Sequence, residues 1–297
     1  MNAGTEPDAR CAVLARALDE PLAGTAPVVP RWVCLEHQGA WPRDVATHPD
    51  QAVAAFATRA TAAGMMLLLI RRPGRRGNSG GDTGGPGQVY LADTAPPAAR
   101  TTVLTVAGPS ELVEITLPAP GAPLPGTPVA DPLLLVCTHG RRDRCCALDG
   151  RALALALAAA GEPGVWECSH LGGHRFAPTA LVLPTGYLYG RLDVTSAITV
   201  RKAAGSGEVE TALCRGRSTW SPAGQVAELA VRAATGLRGA DELHVLDAPG
   251  GAIVTARDGT RWVVDVRSEH GPSRPASCGA DATPLTALRA APARLLA

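Results

Sequence analysis

Between Pro118 and Pro132 the chain places six prolines in fifteen residues: Pro118, Pro120, Pro123, Pro125, Pro128 and Pro132. Each proline fixes its own φ, withholds a backbone N–H and turns the preceding residue away from helix. No regular helix or central strand can run through such a stretch, so residues 118–132 read as a semi-extended linker and a domain boundary. The chain on either side must then fold largely within itself.

Both sides show the same order of patterns. Before the linker, apolar runs bounded by turn residues predict strands at Arg31–Glu36, Met65–Ile70, Val89–Ala92 and Thr102–Val106, with a helix over about Asp50–Ala63. After it come a strand at Leu133–Val136, a helix at Ala147–Ala160 and strands at Val165–Cys168, Ala180–Leu183 and Tyr187–Leu192. Helices near Val194–Ala204 and Pro222–Thr235 follow. RWVCLEHQGAW and LLLVCTHGRRD each run from an apolar strand into a polar turn, a weak similarity that suggests a diverged duplication.

The expected fold class is α/β of the α+β kind. Residues 1–117 form an N-terminal α/β domain and 133–236 a unit compatible with a thioredoxin-like sandwich. Residues 237–297 form a small β meander, in which three alternating strands (Glu242–Leu246, Ala252–Ala256, Trp262–Val266) flank the hairpin signal Asp258-Gly259. No chemistry is visible in the meander. The Gly-rich Arg71–Gly87 stretch has no apolar periodicity and reads as a mobile surface loop.

Charge excludes little but points away from polyanions. With 28 Lys+Arg against 27 Asp+Glu, the net charge is +1, and nothing global recommends nucleic acid or an anionic membrane as partner. The apolar runs at Met65–Ile70 and Ala152–Ala160 fall short of the roughly 20 residues of a membrane-spanning helix. MNAGTEPDAR lacks the pattern of a secretory signal, so the expected location is the cytoplasm. A reducing compartment would keep the eight cysteines as thiols, available for packing, metal or redox chemistry.

Chemistry concentrates after the first strand of the second unit. CTHGRRDRCC carries Cys137 and Cys146 with eight residues between them, and SHLGGHRF carries His170 and His174 after a gap of 23. Adjacent Gly172 and Gly173 argue against a helix there and for a loop whose backbone closely approaches something bulky. Two thiolates and two imidazoles admit a tetrahedral Zn2+ site or a [2Fe–2S] cluster. An eight-residue gap is loose for a zinc knuckle and suits the wider cluster better; packing or loop roles for the histidines form the third reading.

The pattern C-x8-C followed by H-x-G-G-H resembles the sucrase/ferredoxin-like family. CTHGRRDRCCALDG, VWECSHLGGHRFAPTALVLPTGYLYGRLD and RPASCG (Arg274 to Gly279) resemble its signatures, and EPLAGTAP and RWVCLEHQGAW its looser N-terminal ones. The resemblance implies a thioredoxin-like ferredoxin domain with a bis-histidinyl, non-Rieske [2Fe–2S] cluster. Cys137 and Cys146 would hold the iron that stays ferric, and His170 and His174 the iron that is reduced. It implies single-electron transfer, proton-coupled through the imidazoles, to a redox partner protein or a small redox molecule. Two thiolates and two neutral imidazoles leave the oxidised 2+ core uncharged, which favours adding an electron over an all-thiolate site. The family label also suggests sucrose hydrolysis, but no local pattern picks out a carboxylate pair, and no catalytic residue is assigned.

Around these four, His139, Cys145, Gly172, Gly173 and Arg175 are the candidate second-layer residues. Arg141, Arg142, Arg144 and Arg175 form a basic rim that would steer an acidic partner or be merely solvated. Cys168 and Trp166 read as core, and Cys11, Cys34, Cys214 and Cys278 as packing residues without a visible partner.

Overall fold

The structure, a computed structural model, describes residues 10–74 and 87–296. Helix α1 (Cys11–Ala17) is followed by strand β1 (Arg31–Glu36), helix α2 (Gln51–Ala62) and strands β2 (Met66–Arg71), β3 (Gly87–Asp93) and β4 (Arg100–Val106). The short β5 (Thr127–Pro128) lies within the proline-rich stretch. The second half runs β6 (Leu133–Cys137), α3 (Arg151–Ala159), β7 (Val165–Cys168), β8 (Ala180–Leu183), β9 (Tyr187–Tyr189), α4 (Val194–Gly205), β10 (Cys214–Arg217) and α5 (Pro222–Thr235). The chain closes with β11 (Leu243–Ala248), β12 (Gly251–Ala256), β13 (Arg261–Pro275), β14 (Ala282–Ala290) and β15 (Arg294–Leu295).

Local chemistry explains the main elements. Helix α2 begins where the Asp50 carboxylate accepts from the N–H groups of Ala52 and Val53. It buries Val53, Phe56, Ala57 and Ala60, a stripe at i, i+3, i+4 and i+7. Strands β1, β2 and β6 read as near-unbroken apolar runs because both of their faces are covered, and β7 is interrupted only by the buried Glu167. In β1, Trp32 and Cys34 face one core, while Val33 and Leu35 face another that includes Phe56 and Ala60 of α2. In β6, Leu135 and Cys137 share the first core with Trp166 and Cys168 of β7, whereas Leu134 and Val136 pack with Leu153 and Leu157 of α3.

A single mixed sheet has the order β10-β9-β8-β6-β7-β2-β1-β3-β4-β5. Within it, β2-β1-β3-β4 and β7-β6-β8-β9 repeat one arrangement. In each, the first two strands are parallel and the third is antiparallel to the central one. The halves join where β2 meets β7 antiparallel, with Ile70 opposite Cys168 and Arg71 opposite Glu167. Arg71 and the buried Glu167 are ion-paired there at 2.8 Å.

The proline-rich stretch packs on the first half: Arg31 donates to the carbonyl of Pro118, Arg100 to that of Ala122 and Thr102 to that of Pro125. Residues 75–86 of the glycine-rich Arg71–Gly87 stretch lie outside the described residues. Strands β11 to β14 form the antiparallel C-terminal meander, and β13 is much longer than the expected Trp262–Val266. It extends through Pro275 into a hairpin with β14, with a register shift between Gly271 and Ser273. The fold is thus α+β with a C-terminal β meander. Among the described residues, no helix is long and apolar enough to cross a membrane.

Candidate metal centre

Three distant segments converge beside the second half of the sheet. Cys11 opens α1, Asp143 and Cys145 lie in the turn between β6 and α3, and Cys278 sits at the tip of the β13–β14 hairpin. The Sγ atoms of Cys11 and Cys145 are 3.7 Å apart, those of Cys145 and Cys278 3.5 Å, and those of Cys278 and Cys11 3.7 Å. The Asp143 carboxylate oxygens lie 3.6 and 3.7 Å from Cys11 Sγ. All four donor atoms fall within 4.8 Å of one another, and all four residues except the half-buried Cys278 are buried.

The hairpin is held at this point by a buried ion pair. Arg274 donates through Nε and Nη2 to the two carboxylate oxygens of Glu20, at 2.7 and 2.5 Å. Arg175 donates to the same carboxylate at 2.7 Å, which ties the hairpin to the turn after His174. Burial raises the pKa of Glu20, but the hydrogen bonds from Arg274 and Arg175 outweigh it and keep the carboxylate ionised.

Electrostatics divides the donors at the convergence, favouring the anionic form of Cys145 and Asp143 and the neutral thiol of Cys11 and Cys278. The hydrogen bond from Cys11 lowers the Cys145 thiol to about 7, against 9.0 for an ordinary thiol, and the same contact raises Cys11. Burial raises Cys278. Burial also opposes the charge on Asp143, yet its carboxylate is held below the usual range by the backbone N–H groups of Cys278 and Cys145, at 2.8 and 2.7 Å. Arg10, paired with Asp149 at 2.5 Å, adds positive charge beside Cys145 and Cys278.

The spacing fits one ion. With Zn–S bonds of about 2.3 Å, the edge of a tetrahedron of thiolates is about 3.8 Å, close to the three sulfur separations. A disulfide needs about 2.05 Å, and all four cysteines in this region, Cys11, Cys145, Cys146 and Cys278, are free thiols. Donors this close together have the spacing that would suit a single ion.

The four residues expected as ligands lie alongside but are not this group. Cys137 ends β6, and Cys146 opens a π-helical turn, Cys146–Gly150, that leads into α3. The start of this helix packs tightly on β6, since a Cβ on Gly150 would stand 2.1 Å from the Cys137 carbonyl oxygen. The hydrogen bond with Cys146, aided by His170 and the backbone N–H groups of His139 and Leu171, lowers the Cys137 thiol while Cys146 is raised. The rings of His170 and His174 stack with centroids 5.1 Å apart, and the buried Nδ1 of each has no hydrogen-bond partner among the described residues. Burial lowers the pKa of His174.

The expectation of a Cys2His2 centre is therefore corrected. Among the described residues, the compact set of metal donors is three cysteines and an aspartate, so neither the bis-histidinyl [2Fe–2S] cluster nor the Cys2His2 zinc site stands as the metal centre. The physical reason is the divergence of two adjacent cysteines. Cys146 turns into the core that holds Cys137, Cys168 and Leu171, while Cys145 turns outward to Cys11. Cys11 and Cys278, expected to be packing residues, supply the rest of the set.

The glycines between the histidines have a reason in the fold. Both Gly172 and Gly173 are left-handed, with φ 76 and 70. A Cβ on Gly173 would meet the Arg215 guanidinium at 2.4 Å. Buried Arg215 donates to the carbonyl oxygens of Gly172 and Thr25, and burial lowers its pKa to about 10 although Cys137 and Cys146 oppose that shift. The sequence reading missed Arg215, which supplies a cation beside the thiols. His139 is buried with no partner for either ring nitrogen among the described residues, and Arg175 serves Glu20.

A family model described as sucrase/ferredoxin-like matches residues 22–216, about two thirds of the chain. The chain belongs to the sucrase/ferredoxin-like family. The matched span includes Asp143 and Cys145 but ends before Cys278 and begins after Cys11, so two donors of this sucrase/ferredoxin-like protein come from outside it. Family membership and the donor set together support a metal-binding, ferredoxin-like redox character. No curated protein and no solved structure matches the chain. The one available signal for the missed donors is the pair Cys145-Cys146 itself: on a helical turn, adjacent side chains point about 100° apart and serve different surroundings.

Proposed function

We propose that this protein is a metalloprotein of ferredoxin-like character in which Cys11, Asp143, Cys145 and Cys278 hold one zinc ion. The observation that carries the reading is the triangle of thiols with 3.5 to 3.7 Å edges, capped by a carboxylate. Zinc accepts both thiolate and carboxylate and prefers four donors. Three thiolates and one carboxylate around Zn2+ leave a charge of about 2−, which Arg10 and the backbone N–H groups on Asp143 moderate. The ion fastens α1 and the C-terminal hairpin to the turn after β6, so its binding energy becomes folding energy.

Beside it, Cys137, Cys146, His170 and His174 are assigned as cofactor-facing residues of the ferredoxin-like unit. The support is their hydrogen-bonded thiol pair and two unpartnered buried imidazole nitrogens. The halves are read as diverged copies of a thioredoxin-like unit, because β2-β1-β3-β4 and β7-β6-β8-β9 repeat one order.

Metal analysis of the purified chain, by native mass spectrometry and elemental assay, tests the zinc reading. One zinc per chain is expected, absent from Cys11→Ser and Cys278→Ser and retained in Cys137→Ser. A folded chain that takes up no zinc, or one whose zinc survives Cys11→Ser but not Cys137→Ser, would overturn it.

A further inference from the structure

A cavity of about 160 Å³ lies between the two halves of the sheet, and none of its lining residues belongs to the three-cysteine set. One wall comes from the 3-10 turn Val45–Thr47, α2 and the start of β2; the other comes from the turn after β6 and the residues that follow β7. The floor is apolar, with Val45, Ala57, Met66 and Leu67. The opposite wall carries His139, Arg142 and His170, with Arg43 at the rim.

Several polar atoms of this wall lack hydrogen-bond partners among the described residues. His139 is only 3% exposed, and neither of its ring nitrogens has a hydrogen-bond partner within normal geometry among the described residues. The buried Nε of Arg142 and Nδ1 of His170 are likewise unpartnered among the described residues. The other polar side chains are engaged: Ser169 Oγ accepts from the Leu69 N–H, Thr61 donates to the Ala57 carbonyl and Asp44 accepts from the Ala46 N–H. Asp44 is the single carboxylate in the lining, against two guanidiniums and two imidazoles.

Buried polar groups without partners cost folding free energy and are usually met by a ligand or water. An acceptor bearing negative charge can meet the Arg142 Nε–H and one imidazole N–H together, and a planar carboxylate matches a guanidinium fork. The apolar floor calls for a short hydrocarbon body, and a cavity of roughly 150 Å³ is known to take a benzene-sized molecule. We propose that this cavity binds a small monocarboxylate with a compact apolar body, its carboxylate on Arg142 and His139 and its body on Met66 and Leu67. The assignment does not depend on the zinc reading.

Calorimetric titration of the full metal-loaded chain with benzoate tests it, with benzyl alcohol and inorganic phosphate as comparison probes. Saturable benzoate binding is expected, with no saturable binding of the alcohol and weaker binding of phosphate. Arg142→Gln should weaken benzoate at least about tenfold, as loss of a hydrogen bond to a charged group does. Arg289→Gln, on the distant hairpin, should not change it. Absence of saturable benzoate binding, equal binding of either comparison probe, or an unchanged affinity in folded Arg142→Gln would overturn the proposal. The probe comparison on the natural chain keeps the test decisive should a variant fail to fold.

Discussion

Cys145 and Cys146 are consecutive in the chain, yet their thiols enter different environments. Cys145 Sγ stands 3.7 Å from Cys11 and 3.5 Å from Cys278, while Cys146 is hydrogen-bonded to Cys137 inside the main core. The turn after β6 therefore serves two surroundings: Cys145 meets Cys11 and Cys278, and Cys146 faces the main core with Cys137.

Zinc affinity should rise with pH through neutrality. Binding requires thiolates, Cys145 ionises at about 7 in the free protein, and Cys11 and Cys278 lie above an ordinary thiol. Loading at pH 7 must therefore release protons, and affinity must fall as pH drops below about 7. Competition titrations with a chromophoric chelator at several pH values, with proton release followed in weak buffer, measure both effects. A pH-independent affinity would remove the thiolates from the site.

Arg274→Gln should destabilise the fold by about 3 kcal/mol. It takes a bidentate partner from Glu20, which is 1% exposed, and leaves a buried carboxylate with Arg175 alone. Denaturant unfolding reads the loss directly. The double variant Glu20→Gln with Arg274→Gln should recover part of it, because the buried carboxylate charge is removed together with its main partner, although Arg175 then keeps only a neutral acceptor.

The two glycines between His170 and His174 should not be equivalent. Gly172→Ala costs about 1 to 2 kcal/mol for the left-handed backbone alone, since nothing lies within 4 Å of its Cβ position. Gly173→Ala adds a collision with the Arg215 guanidinium and should cost clearly more. Thermal unfolding of the pair side by side decides the order; equal losses would mean that Arg215 yields freely.

Acid should destabilise the fold through His139. Burial lowers its pKa from 6.5, so the folded state prefers neutral imidazole. A folded pKa below the unfolded one gives stability that is fully present above about pH 6.5 and is lost as pH falls through the folded value. Urea unfolding at pH 7.5 and 5.5 should show a larger difference for the natural chain than for His139→Gln.

Much of the fold is legible in the chain because its signals are local. The apolar runs of β1, β2 and β6 and the i, i+3, i+4 stripe of α2 are short-range consequences of burial. The boundaries of β8 and α5 follow from the same patterns and from the Ser221 cap with Pro222 behind it. Helix α1 has only seven residues, and β13 passes through Gly271 and Pro272, so neither carries a clear local signal. The long hairpin and its Cys278 tip went unread for that reason.

The sequence by itself determined the repeated strand and helix order, the position of the soft donors around Cys137, Cys146, His170 and His174, and the family to which they point. Only the tertiary structure decided which donors form the compact set. Cys11 and Cys278 are 267 residues apart in the chain, and their thiols meet at 3.7 Å because Glu20 and Arg274 pin the hairpin beside α1. No periodicity or spacing encodes such a meeting. It depends on how side chains at opposite ends of the chain pack on a shared core, and that information resides in contacts rather than in order.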